Sequence, residues 1–293
     1  MWNRPFFLPC YLMSIDFKPS QPIGIFDSGI GGLTVARAIT KLLPNEQIIY
    51  FGDTAHMPYG EKSAEAIKNY SIKIADFLKT KNCKMIVIAC NTASAAGFKA
   101  VVKSTGMKDL IVNVIDPAAA YVVKNHYREK IGVIATKRTI GSNVYAKRIA
   151  SLDPIADVVQ LATPLLAPMI EEGFYNNKIS QTIINSYLSK SKLNKINALI
   201  LGCTHYPLVK NEIQKFYGKS VEVIDTSEIV AQYVKAVLEK HYLLNLTKPS
   251  KMILANKAKQ FFVSDFTQSF EESSKIFFNE KVKLKQCNIW EDK

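Results

Sequence analysis

Met85-Ile86-Val87-Ile88-Ala89-Cys90-Asn91-Thr92-Ala93-Ser94 sets the fold. The stretch opens as an unbroken apolar run, turns at Cys90 into small polar residues, and continues with helical periodicity. An unbroken run of this kind marks a strand buried on both faces, as in a parallel sheet. The polar residues behind it fall where the next helix opens.

Working outward, the same pattern recurs along the chain. Short runs rich in Ile, Val, Leu and Phe occupy residues 23–26, 48–51, 111–114, 131–135, 158–161, 198–201 and 221–224. Between them lie helical stretches. Residues 64–79, for example, place Ala66, Ile67, Tyr70, Ile74, Phe77 and Leu78 on one side. Strand and helix in alternation predict an α/β protein with helices covering a mostly parallel sheet. The 293 residues suit two domains at roughly 100–200 residues each. Asp116-Pro117 and Asp225-Thr226 are the natural crossings. The expected division is therefore 22–116 plus 226–293 for one α/β domain and 117–225 for a similar second one. Residues 248–259 are polar and poorly patterned. Beyond them, Phe261-Phe262-Val263, an amphipathic stretch over 266–278 and an alternating, edge-like stretch over 282–289 predict a folded C-terminus.

Composition excludes several classes. Hydrophobic residues at 48% and charged residues at 22% fit a globular protein rather than a disordered one. No run approaches the roughly 20 apolar residues of a membrane span. Residues 1–21 read as a poorly ordered leader; their short apolar stretch is broken by Pro9 and lacks a signal-peptide cleavage site. The five cysteines are odd in number and show no CxxC spacing, which predicts free thiols in a reducing cytoplasm and no zinc site. The net charge of +13 raises a nucleic-acid hypothesis. However, the basic residues are mostly Lys and spread along the chain, whereas base readout favours Arg forks. A solvated surface is expected, with neither a nucleic-acid nor a membrane partner.

In parallel sheets ligands bind beyond the carboxyl ends of strands. Four runs are followed there by polar or reactive residues: Asp27-Ser28-Gly29-Ile30-Gly31-Gly32, Gly52-Asp53-Thr54 with Pro58-Tyr59-Gly60, Cys90-Asn91-Thr92, and Gly202-Cys203-Thr204-His205. Each has a plain structural alternative. Asp27 and Ser28 can be a cap and turn, the glycines lack full nucleotide-motif spacing, and a lone buried Cys is a small hydrophobe. The paired thiols carry more weight. Cys90 and Cys203 each follow a buried strand and precede residues opening a helix, and a helix N-terminus lowers a nearby thiol's pKa. Two such thiols across one crevice suit removal of a weakly acidic α-proton from one face and return of a proton to the other.

These segments resemble the aspartate/glutamate racemase family, and within it the glutamate racemases. The strongest pieces are 24–35, 50–54, 58–60, 89–95 and 201–207, in family order. Residues 161–173 also fit, although Thr163 stands where many members have cysteine, and 1–21 lie outside the likeness. The resemblance implies two α/β domains with the active site in the cleft between them, and an end of the chain that returns to the first domain. It implies an isomerase interconverting L- and D-glutamate without cofactor or metal, as a cytoplasmic homodimer supplying peptidoglycan synthesis. It implies Cys90 and Cys203 as the acid/base pair, with Asp27 beside Cys90, and His205 and Glu171 beside Cys203. Asp27, Ser28, Tyr59, Gly60, Asn91, Thr92, Thr204 and His205 match substrate contacts. An aspartate racemase of the same family is the alternative.

Overall fold

The computed structural model describes residues 17–247 and 259–290. Residues 1–16 of the expected leader, and nearly all of the polar stretch 248–259, lie outside these.

Two wholly parallel sheets organise the described chain. The first is built from β1 (Ile23–Asp27), β2 (Ile48–Gly52), β3 (Met85–Ile88), β4 (Ile111–Asn113), β9 (Lys259–Val263) and β10 (Leu284–Gln286). Its strand order is β10-β9-β2-β1-β3-β4. The second is built from β5 (Lys130–Ala135), β6 (Asp157–Ala162), β7 (Ala198–Gly202) and β8 (Glu222–Ile224), in the order β6-β5-β7-β8. Every residue of β1, β2, β3 and β7 is buried, as their unbroken apolar runs require. Each large aliphatic or aromatic side chain so buried contributes roughly 1.5–3 kcal/mol.

One strand departs from expectation. The run at 158–161 reads as buried on both faces, but β6 has an exposed Asp157 and only half-buried residues beyond it. It is the outer strand of its sheet, paired only to β5. Gln160, polar within the run and hydrogen-bonded to Asn143 near solvent, is the residue that marks it as an edge.

Helices follow the strands: α1 (Leu33–Leu42), α2 (Ala64–Thr80), α3 (Asn91–Thr105), α4 (Ile115–Asn125), α5 (Lys137–Ser142), α6 (Val144–Leu152), α7 (Leu166–Glu171), α8 (Lys178–Leu188), α9 (Lys210–Tyr217), α10 (Thr226–Lys240) and α11 (Gln268–Phe278). Several of their starts are capped by side chains. Ser63 accepts from Ala66 N at the head of α2, and Asp225 accepts from Ser227 N at the head of α10. The crossings between sheets are helices rather than loops. Asp116-Pro117 lies in the first turn of α4, which leads from β4 to β5. Helix α10 leads back from β8 and packs on α1 and α4. The chain then adds β9 beside β2, so the C-terminal strands complete the first sheet.

A buried ion pair ties the far ends of the chain together at the N-terminal ends of these strands. Lys84 is fully buried, and its Nζ donates to Glu46 Oε2 at 2.6 Å and to Leu243 O at 2.8 Å. It donates as well to Pro19 O, and Phe17 packs against the core. Residues 17–21, read from sequence as the end of a poorly ordered leader, are thus part of the folded body. A buried ammonium needs acceptors, and the chain supplies one from that segment.

Candidate active site

The C-terminal ends of the two sheets face each other across a cavity of about 80 Å³. From the first sheet it is lined by Ser28 and Gly29 after β1, by residues 57–60 in the loop after β2, and by Cys90, Asn91 and Thr92 after β3. From the second come Thr136 after β5, Ala167, Pro168 and Glu171 of α7, and residues 202–205 after β7. All of the sequence-expected residues but Asp27 line this one cavity, and Asp27 is fully buried behind Ser28.

Cys90 is the N-cap of α3, and its Sγ accepts from Ala93 N at 3.4 Å and donates to Ser28 Oγ at 3.5 Å. Burial and the neighbouring Asp27 charge push this thiol up to about 12, against the opposing pull of the helix amide and Ser28. Asp27 Oδ2 accepts from Gly29 N at 3.2 Å and Gly32 N at 3.0 Å. Its Oδ1 is buried without a hydrogen-bond partner. Burial raises the Asp27 pKa, with the His205 charge and the backbone amides opposing. The turn reading of Asp27 is therefore correct for one oxygen and leaves the other free for chemistry.

Cys203 has a different neighbourhood. Its Sγ lies 3.6 Å from His205 Nδ1, and His205 Nε2 lies 2.8 Å from Glu171 Oε1. The latter is an ion-pair contact off the N–H axis rather than an aligned hydrogen bond. Burial works to lower the His205 pKa, but Cys203 and Glu171 outweigh it and hold the ring well above its usual value. The first sheet's loop closes tightly over this pair: a Cβ on Gly31 would sit 2.4 Å from His205 Cε1, so only glycine fits.

Other side chains set the walls. Tyr59 is buried, and its hydroxyl donates to Asp53 Oδ2 at 2.6 Å. It therefore offers the cavity its ring and backbone, not its hydroxyl. Asp53 Oδ1 also accepts from Ser264 Oγ at 2.8 Å, which ties this loop to the end of β9. Asn91 Oδ1 accepts from Tyr145 OH at 2.6 Å. Thr92 shares hydroxyl hydrogen bonds with Thr136 at 3.0 Å and Thr139 at 3.2 Å. Thr136 was not singled out from sequence, although it follows the run 131–135 just as Cys90 follows 85–89. The rule that found the thiols, applied to that run, would have found it.

A family model described as Asp/Glu/hydantoin racemase matches residues 28–234. The chain belongs to this racemase family. A glutamate racemase of Geobacter metallireducens is 40% identical over 264 residues, covering 90% of this chain and 95% of that protein. The crystal structure of a Francisella tularensis glutamate racemase in complex with D-glutamate superposes with a TM-score of 0.84 at 38% identity, over 93% of this chain and 99% of that one. A glutamate racemase from Aquifex pyrophilus gives 0.73 at 37% identity, over 91% and 98%. Within the racemase framework, Thr163 hydrogen-bonds Tyr206 OH at 2.7 Å and does not line the cavity. Its departure from the family pattern therefore leaves the site's surface intact. Among the described residues no cluster of His, Cys, Asp or Glu could hold a metal ion, and no helix is long and apolar enough to cross a membrane.

Proposed function

We propose that this racemase interconverts L- and D-glutamate by cofactor-independent proton transfer between Cys90 and Cys203. The observation that carries the reading is the pair of buried thiols on opposite walls of one small cavity, in unlike electrostatic settings. Cys90, beside Asp27, is held as a thiol. Cys203 lies 3.6 Å from His205 Nδ1, on a ring that Cys203 and Glu171 hold well above its usual pKa. The two sulfurs thus face unlike partners, a buried carboxylate beside one and an imidazole beside the other. Cys203 Sγ takes the α-proton, and the electron pair left on the α-carbon is delocalised into the adjacent carboxylate. Cys90 then delivers its proton to the opposite face. The reverse reaction exchanges the roles, with Asp27 and the His205–Glu171 pair assisting the adjacent sulfurs. Asn91 and Thr92 at the head of α3 offer the positive end of a helix to a carboxylate.

A cavity of about 80 Å³ is far below the roughly 300–1,000 Å³ that holds drug-sized ligands. It is lined by no Lys or Arg, so it suits an amino acid better than a nucleotide. The substrate assignment rests on the named relatives. The same reading divides the chain into one domain of 22–116 with 226–293 and a second of 117–225. It also takes the protein as a cytoplasmic homodimer supplying D-glutamate to peptidoglycan.

Incubating the protein with pure L- or D-glutamate in deuterated water, without added cofactor, is expected to give both enantiomers with deuterium at the α-carbon. Absence of α-deuterium would end the racemase reading, and faster turnover of aspartate would move it to the alternative. In cells, D-glutamate is expected to rescue depletion; lysis despite its uptake would refute the biosynthetic role.

Asp27→Asn separates turn from catalysis. The amide oxygen of Asn can accept from Gly29 N and Gly32 N, so stability is expected to change by less than about 1 kcal/mol. The free oxygen Oδ1 becomes a donor that cannot accept a proton. The expected result is a kcat lowered by roughly ten- to a hundredfold with an unchanged urea midpoint. Unchanged kcat would reduce Asp27 to a turn residue.

A further inference from the structure

Cys90 is 5% exposed and Cys203 8%, so a substrate reaches them only when the two walls part. The contacts that bridge the walls differ in kind. Tyr145 to Asn91 and Thr34 Oγ1 to Thr204 O at 3.1 Å are buried hydrogen bonds. They sit on α6 and α1, which pack on the crossing helices α4 and α10. This side is braced by the only two helices that carry the chain between the sheets among the described residues.

Next to it, Thr92 shares hydroxyl hydrogen bonds with Thr136 and Thr139 of the other wall, and outside these lies a second set of contacts. Helix α5 meets the turn Tyr59–Glu61. Arg138 Nε donates to Lys62 O at 2.9 Å. Lys137 Nζ approaches Glu61 Oε1 at 3.4 Å, with both side chains more than half exposed. These contacts are polar and near solvent. Their partners are cavity walls: Tyr59 and Gly60 lie in the turn, and Thr136 caps α5. A Cβ on Gly60 would sit 3.1 Å from Thr136 Cβ, so closing this seam seals the cavity. The rim is also basic, with Lys62, Lys137 and Arg138 against Glu61, and a basic rim draws in anions.

We infer that Arg138 is a positioning residue that latches α5 to the 59–62 turn, and that this outer contact keeps the seam over the two thiols closed. The exposed pair Lys137–Glu61 adds little, because surface ion pairs are weak. Arg138 holds a carbonyl with a charged donor, which is stronger.

The latch is tested by alkylating native protein with iodoacetamide and following each cysteine by peptide mass. Cys83, 1% exposed in the first sheet's core, reports global unfolding. Arg138→Ala is expected to speed labelling of Cys90 and Cys203 roughly tenfold, the effect of losing one charge-assisted hydrogen bond, with Cys83 unchanged. Arg138→Lys keeps a donor and is expected to fall between. In turnover with glutamate, KM rises while kcat is unchanged or higher. Unchanged labelling of the two thiols, or labelling of Cys83 in step with them, would overturn the latch. The kinetic arm rests on the proposed racemase reaction, but the labelling arm does not: it reads opening whether or not the thiols catalyse.

Discussion

Replacing Cys90 or Cys203 by serine is expected to abolish racemisation while leaving the fold in place. Serine holds its proton far more tightly than a thiol and makes a poor base at neutral pH, so turnover should fall by roughly 10²–10⁴-fold. The fold should survive for a local reason at Cys90. Its Sγ caps α3 by accepting from Ala93 N, and serine is among the preferred caps. The two-wall geometry gives a sharper outcome. Each variant retains one thiol on one face, which can remove and return a proton there. Each should therefore still exchange the α-proton of one enantiomer with solvent deuterium, without inversion, and the two variants should prefer opposite enantiomers. Proton NMR in deuterated water reads both quantities. Near-normal racemisation by either variant would remove its sulfur from the reaction. Exchange of the same enantiomer by both would contradict opposed faces.

Lys84→Met is expected to cause the largest loss of stability, far from the thiols. Lys84 and Glu46 are both buried, with side-chain exposures of 0% and 1%. Burial pushes the lysine pKa down, and Glu46 opposes that shift. Methionine fills the space but takes the ammonium from the Glu46 carboxylate, which keeps the Asn245 N donor at 2.8 Å. The carbonyls of Pro19 and Leu243 also lose the Lys84 donor. Removing one partner of a buried pair costs about 3–5 kcal/mol, read as a lower urea midpoint. Changing both, as Lys84→Met with Glu46→Leu, should recover much of the loss, because no charge is then stranded. Activity per folded molecule should not change, since the pair lies at the other end of the strands from the cavity. A single variant as stable as wild type would show that the pair is not coupled to folding.

The sheets were legible because a strand covered on both faces must be apolar throughout, a property of the residues themselves. Residues 85–88 and 198–202 show it without ambiguity. Order within a sheet was not legible. The run at 158–161 reads as buried despite Gln160, yet it became an edge, and Phe261-Phe262-Val263 became a strand between β2 and β10. Which strand lies beside which depends on crossovers that no local pattern records. The role of residues 17–21 was hidden for a similar reason: the lysine they help to satisfy is more than sixty positions away.

For the candidate site, the sequence alone determined the chemical repertoire and its placement at strand ends. Two cysteines, an aspartate, a histidine and small hydroxyl residues each come directly after an apolar run. A chain that buries such runs must present the residues at their carboxyl ends along one edge of a sheet. Only the tertiary structure decided how those groups differ. It put Asp27 behind Cys90 with one oxygen free, set His205 between Cys203 and Glu171, and turned the Tyr59 hydroxyl away to Asp53. It also brought Thr136 into the cavity wall and Arg138 across to the Lys62 carbonyl. The physical reason is that charge and proton affinity depend on burial and on neighbours a few ångströms away. Those neighbours come from both sheets, at sequence separations that local pattern does not encode.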